Sequence, residues 1–207
     1  MSDPAELDHA IELLDRALGY TRGILAAVDA DPPALSLRTP CHGWDLGQLL
    51  AHMEDALDAF IEGARGSVSL EPRIPAVART EALRQKACAL LEAWSRERPA
   101  LVEVGDKAAP TSVVAAAAAL EITVHGWDVA QAIGRPTPIP DELAASLLPV
   151  ADALVATADR GPLFAARLEV PDDSSAEVHL LAFLGRDRSM PLASFQDNPS
   201  TGPRIAS

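Results

Sequence analysis

The sequence predicts an all-α protein: an antiparallel, up-down-up-down four-helix bundle followed by short extra C-terminal helices. Two observations carry that expectation. Hydrophobic residues make up 48% of the 207 residues but aromatics only 4%, so the apolar content is mostly Ala, Leu and Val. Such content favours helix-on-helix packing over a β sandwich. Apolar positions also recur at three- and four-residue spacings in long stretches separated by proline- and glycine-rich joints. The length suits one domain with a sizeable core, taken as residues 1–187, with 188–207 as a loosely ordered tail.

The first helix spans Pro4 to Ala30, with Leu7, Ile11, Leu14, Leu18, Leu25 and Val28 on its apolar side. Asp31-Pro32-Pro33 ends it, because a residue before proline is pushed out of the α region. Asp45 and Gln48 have the spacing of a capping box at the start of the second helix, which continues through Leu49, Leu50, Met53, Leu57, Phe60 and Ile61. It fades between Gly63 and Gly66. A third helix is expected from about Val77 to Glu97, closed by Pro99, with Val104-Gly105-Asp106 as a turn. The fourth begins near Pro110 or Thr111 and reaches about Ile133, where Gly134 suits the C′ position. Its alanine run, Ala115 to Ala119, allows neighbouring helices to approach closely. A fifth helix, Asp141 to Ala158, should bend or break at Pro149. Phe164 to Val170 reads as extended and Ser174 to Leu184 as a short helix. From Arg186 onward there is little to bury.

The formal charge of −13 argues against a nucleic-acid or anionic-membrane partner. No apolar run approaches the roughly 20 residues that span a bilayer, and the N-terminus lacks a basic n-region, so neither a membrane span nor a secretory signal is expected. Cys41 and Cys88 have no CxxC spacing, which fits a cytoplasmic protein. The oligomeric state stays open, a homodimer included.

Glu121 and His125 carry the chemistry. Their i, i+4 spacing puts both on one face of the fourth helix. His52, from the second helix, would complete a two-His, one-carboxylate set with coordination positions left open. A carboxylate beside a buried face needs compensation, and a cation is the simplest; the alternative is an arginine such as Arg16, Arg22 or Arg84. His42 competes with His52 but precedes the helix cap. Asp55 and Asp128 each lie three residues past a histidine and could orient its ring. Cys41, just before the second helix, is a candidate reactive thiol whose pKa the helix dipole could lower. Spacing alone assembles no Cys/His/Asp arrangement around it. There is no GxSxG, P-loop, GxGxxG or HExxH.

Thr39-Pro-Cys-His-Gly-Trp44 followed by Leu49-Leu-Ala-His52 resembles the opening of helix two in the DinB-like metal-binding domains of actinobacterial mycothiol-dependent enzymes. Glu121-Ile-Thr-Val-His-Gly-Trp-Asp128 resembles their helix-four motif, and Leu180-Leu-Ala-Phe-Leu-Gly-Arg-Asp187 the C-terminal end of a stand-alone subfamily. The resemblance runs over roughly residues 5 to 187. It implies a DinB-like four-helix bundle with His52, Glu121 and His125 as ligands of a divalent metal, zinc first, with nickel or iron as alternatives. The best-known relative is the mycothiol-dependent maleylpyruvate isomerase. That enzyme has a second, C-terminal domain contributing to its active site, so its own reaction is not expected here. The resemblance implies a metal- and thiol-dependent transferase or isomerase, with mycothiol as cosubstrate and an electrophilic small molecule as its partner. A metal-holding or ligand-holding protein without turnover, and an iron-loaded, oxygen-dependent enzyme, are the rivals.

Overall fold

A computed structural model of the chain describes residues 4–30, 33–69, 80–96, 99–155, 160 and 165–188. In chain order the elements are α1 (Pro4–Ala30), α2 (Leu46–Gly63), β1 (Ser67–Val68), α3 (Thr80–Trp94), β2 (Leu101–Val104), β3 (Lys107–Pro110), α4 (Thr111–Ala132), α5 (Asp141–Val155) and α6 (Ala176–Phe183). The protein is therefore mostly helical, with a small sheet that the all-α expectation lacked.

Helix α1 has the expected bounds and buries Leu14, Leu18, Leu25 and Val28. The capping box of α2 is formed: Asp45 accepts from the Gln48 amide at 2.8 Å, and the Asp45 amide donates to Gln48 Oε1 at 3.0 Å. Helix α3 gives way to a turn at positions 95 and 96, just before the expected end; positions 77–79 and 97 of the expected helix lie outside the described residues. Its Trp94 is fully buried and donates from Nε1 to the Phe60 carbonyl at 3.1 Å, tying α3 to α2. Helix α4 ends at a Schellman motif, the Arg135 amide donating to the Ala130 carbonyl and the Gly134 amide to the Gln131 carbonyl, both at 3.0 Å.

Helix α1 packs most extensively on α4, α2 packs on α3 and on α4, and α3 closes back onto α1. The small side chains of α4 make this possible: Ala115, Ala118 and Ala119 are fully buried. The closest approach is at Gly126, where a Cβ would lie 2.5 Å from Thr21 Oγ1. That hydroxyl donates to the Ile122 carbonyl at 2.8 Å, so α1 is bonded to α4 one turn from Gly126. By length and composition α4 could cross a membrane, but 78% of the window is buried within the protein.

The sheet has the order β1-β2-β3, with β1 parallel and β3 antiparallel to β2. What the sequence showed as a turn is the tip of a hairpin. Val104 pairs with Lys107, and Gly105 opens the two-residue loop at φ +61°, a position that a side chain disfavours. Val102 alone of β2 is fully buried.

Of the expected bend or break at Pro149, the break does not occur: α5 runs through it without interruption. Pro149 and Ala145 are both exposed, so the carbonyl that loses its partner can be hydrated. Positions 156–158 of the expected fifth helix lie outside the described residues, as does 164 of the expected extended stretch. Residues 165–170 form no strand, although the Leu168 amide donates to the Ala182 carbonyl at 2.9 Å. Helix α6, capped by Ser175, packs on α5. The expected loose tail, 189–207, lies outside the described residues.

Candidate metal centre

Packing of α2 on α4 brings His52 opposite Glu121 and His125. One oxygen, Glu121 Oε1, lies 2.6 Å from His52 Nε2 and 3.1 Å from His125 Nε2. The rings stand nearly perpendicular, 5.0 Å apart. Ligand atoms of the three residues all lie within 4.8 Å of one another. The His125 side chain is 10% exposed, against 37% for His52 and 33% for Glu121, so the cluster is anchored on one side and open on the other.

Burial alone would raise the Glu121 pKa, but the His125 and His52 imidazoles hold its carboxyl well below the usual carboxylate range. Burial likewise disfavours a charged His125, yet Glu121 and Asp128 keep its pKa well above the ordinary 6.5. The cluster thus attracts positive charge to the point its three donors share. Two imidazole nitrogens and a carboxylate, open on one side, are a donor set suited to a divalent ion with free coordination positions. Of the three candidate arginines, Arg16 reaches Glu142 and Arg84 reaches Asp29 and Glu81, while Arg22 lines the same cleft as Glu121; the groups that pair with Glu121 are the two histidines.

Behind His125 lies a second group. Asp128 is wholly buried, and its Oδ2 lies 3.0 Å from His125 Nδ1, 3.1 Å from Cys41 Sγ and 3.0 Å from Arg186 Nη2. Burial would raise the Asp128 pKa, but Arg186 and His125 keep it well below its usual range. An ionised carboxylate only accepts, so His125 Nδ1 must be the donor, which fixes the ring with Nε2 facing Glu121 and His52. Asp128 therefore occupies the orienting position the sequence suggested. Asp55 is half-buried on α2 and belongs to neither cluster.

Cys41, His125 and Asp128 also fit the spacing of metal ligands. Arg186 already supplies the cation there, and burial, followed by Asp128, raises the Cys41 thiol's pKa instead of lowering it as a helix dipole would. The first cluster is thus the better candidate for a metal. Cys41 nevertheless stands in a Cys/His/Asp arrangement that spacing did not reveal, because the loop before α2 places it. Thr39 accepts from the Cys41 amide at 3.2 Å, and both its amide and its hydroxyl donate to the Trp44 carbonyl. The same loop sets the Trp44 ring 4.8 Å from that of His52 and leaves His42 exposed, which removes His42 as a rival.

Arg186 and Trp44 are the site residues the sequence reading missed. Arg186 was placed where little is buried, yet its side chain is only 12% exposed. Its position in the Leu180–Asp187 motif was the available signal. A cleft of about 560 Å³ opens between α1, α2 and α3, with Glu121 on its wall and mostly aliphatic lining, including Leu18, Met53, Leu57 and Leu83.

Two uncharacterized proteins of Mycobacterium tuberculosis, from strains CDC 1551 and H37Rv, are each 29% identical to the chain over 175 residues, covering 83% of it and 94% of the relative. No solved structure gives a significant match. The family model described as mycothiol maleylpyruvate isomerase N-terminal domain matches residues 14–130, a span that holds Cys41, His52, Glu121, His125 and Asp128. The chain belongs to the mycothiol maleylpyruvate isomerase N-terminal domain family.

Proposed function

We propose that the protein is a divalent-metal-dependent enzyme of small-thiol chemistry, an S-transferase that joins mycothiol to an electrophilic small molecule, with zinc as its metal. The observation that carries this reading is the convergence of His52 Nε2, Glu121 Oε1 and His125 Nε2 on one half-open point. Membership of a family related to mycothiol-dependent enzymes supports the choice of thiol. When bound, the ion supplies a Lewis acid that lets a thiol lose its proton near neutral pH and act as nucleophile.

The chain's own residues do the rest. His52, Glu121 and His125 hold the ion. Asp128 accepts a hydrogen bond from His125 Nδ1–H and so keeps Nε2 as the binding face. Trp44 shields the His52 side, and the aliphatic cleft beside Glu121 takes the apolar part of a substrate away from water. The pairwise packing of α1 to α4 supports a DinB-like up-down-up-down bundle as the scaffold. Free Cys41 and Cys88 suit a reducing cytoplasm.

The test is thiol loss on mixing the zinc-loaded protein, mycothiol and 1-chloro-2,4-dinitrobenzene. Metal-dependent thioether formation, absent in His52→Ala, is the expected result. Zinc-loaded protein that consumes no thiol with this or a panel of other electrophiles would leave a binding protein without turnover.

A further inference from the structure

The motif Leu180–Asp187 holds, next to its end, an arginine the proposed reaction does not use. We infer that Arg186 is a positioning residue for the metal centre: through Asp128 it fixes the ring of His125 from behind, making the C-terminal segment part of the site. The inference rests on the metal reading given above.

The contact is built rather than incidental. Arg186 meets both oxygens of Asp128, with Nη2 at 3.0 Å from Oδ2 and Nε at 3.4 Å from Oδ1. A guanidinium fork across a carboxylate fixes the plane of the acid, which a single point charge does not. Asp128 Oδ2 in turn lies 3.0 Å from His125 Nδ1. Rotation of the acid would therefore carry the imidazole with it and swing Nε2 away from Glu121 and His52.

Three features hold Arg186 in place. Its Nη1 donates to the Leu184 carbonyl at 3.2 Å, and its own amide donates to the Leu181 carbonyl at 2.8 Å. Gly185 turns the chain at φ +75°, where a Cβ would lie 2.7 Å from that of Ala165. Two residues on, Arg188 Nη1 pairs with buried Glu177 Oε2 at 3.1 Å, and Glu177 Oε1 accepts from the Ile139 amide at 3.0 Å. The segment is thereby tied both to its own helix and to the joint between α4 and α5. The family match stops at residue 130, so this support comes from outside the matched span.

The test uses Arg186→Met and Arg186→Lys in the full chain. Cobalt(II) is titrated into metal-free protein, and both its affinity and its visible absorption bands, which report ligand geometry, are recorded. In parallel, proton NMR of the metal-free protein follows the hydrogen-bonded His125 Nδ1 proton, identified by its loss in His125→Gln. Arg186→Met should bind cobalt about 10–100-fold more weakly, as removal of outer-shell partners does, with shifted bands and a moved or broadened Nδ1 resonance. Arg186→Lys should recover part of the affinity but leave the bands and the resonance displaced from their wild-type positions. Unchanged cobalt affinity, bands and resonance in folded Arg186→Met, even with a lower melting temperature, would make Arg186 merely structural and overturn the inference. Should Arg186→Met fail to fold, Arg186→Lys decides: wild-type bands and resonance there refute the need for the fork. Wild-type protein that takes up no metal would defeat the proposed function, while the NMR arm would still decide the role of Arg186.

Discussion

Replacing Asp128 by Asn tests whether the group behind His125 is a buried ion pair. The substitution is nearly isosteric, so packing changes little and charge changes most. Asp128 is fully buried and its partner Arg186 is 12% exposed, so the variant leaves a guanidinium facing an amide with little water to help. Breaking a buried pair on one side costs about 3–5 kcal/mol. At roughly 2–4 °C per kcal/mol for a chain of this size, the melting temperature should fall by about 6–20 °C. Urea and thermal denaturation with chelator present, both followed by far-UV circular dichroism, measure the free-energy loss and the melting temperature free of metal linkage. The internal reference is Asp29→Asn, which opens the Arg84–Asp29 pair at side chains 28% and 41% exposed. An accessible pair of that kind contributes about 1 kcal/mol or less. Removing both charges, Asp128→Asn with Arg186→Met, should cost less than Asp128→Asn alone, because no buried charge is then left unpaired. If Asp128→Asn costs no more than Asp29→Asn, or the double variant costs the sum of its parts, the buried-pair reasoning is wrong.

Gly126→Ala puts a methyl 2.5 Å from Thr21 Oγ1, so α1 and α4 must separate; a loss of about 1–3 kcal/mol in urea denaturation is expected, and Thr21→Ala in the same chain should restore part of it. Leu14→Ala removes a fully buried side chain from the α1 core and should cost about 2–5 kcal/mol by the same assay. Two groups of the cluster contribute to the pH dependence of the metal-free protein with opposite sign. Glu121, held below its ordinary 4.5, contributes stability above that value and loses it as pH falls through its lowered pKa; His125, held above 6.5, contributes below that value and loses it as pH rises through its raised pKa. Urea midpoints in chelator should therefore decline on the alkaline side, and zinc, which takes the place of the His125 proton, should flatten that decline. Identical pH profiles with and without zinc would contradict the assignment.

Which residues come together in the cluster was more legible in the sequence than the elements around it, for physical reasons visible in particular residues. Glu121 and His125 share a helix, so their spacing alone put them together, and Asp128 followed by the same geometry. The Asp45–Gln48 box gave the start of α2 and hence the turn on which His52 sits. The hairpin was hidden because β2 and β3 are four residues each, with one fully buried side chain in β2 to mark a strand face. Pro149 does not interrupt α5, and the Ala145 carbonyl it leaves unpaired lies on an exposed face where water can reach it. Cys41 and Arg186 were illegible for a shared reason. Each reaches Asp128 from a turn, 87 and 58 residues away along the chain, and helical periodicity has nothing to say about where a turn aims its side chains.

The account stands or falls on a metal held by His52, Glu121 and His125. The most direct test is elemental analysis of untagged protein purified without chelator, set beside His52→Ala prepared in the same way. About one divalent ion per chain, zinc by this account, and its loss from the folded variant are the predicted results. Full metal occupancy in His52→Ala, or no metal in the wild type even after zinc is supplied, would contradict it.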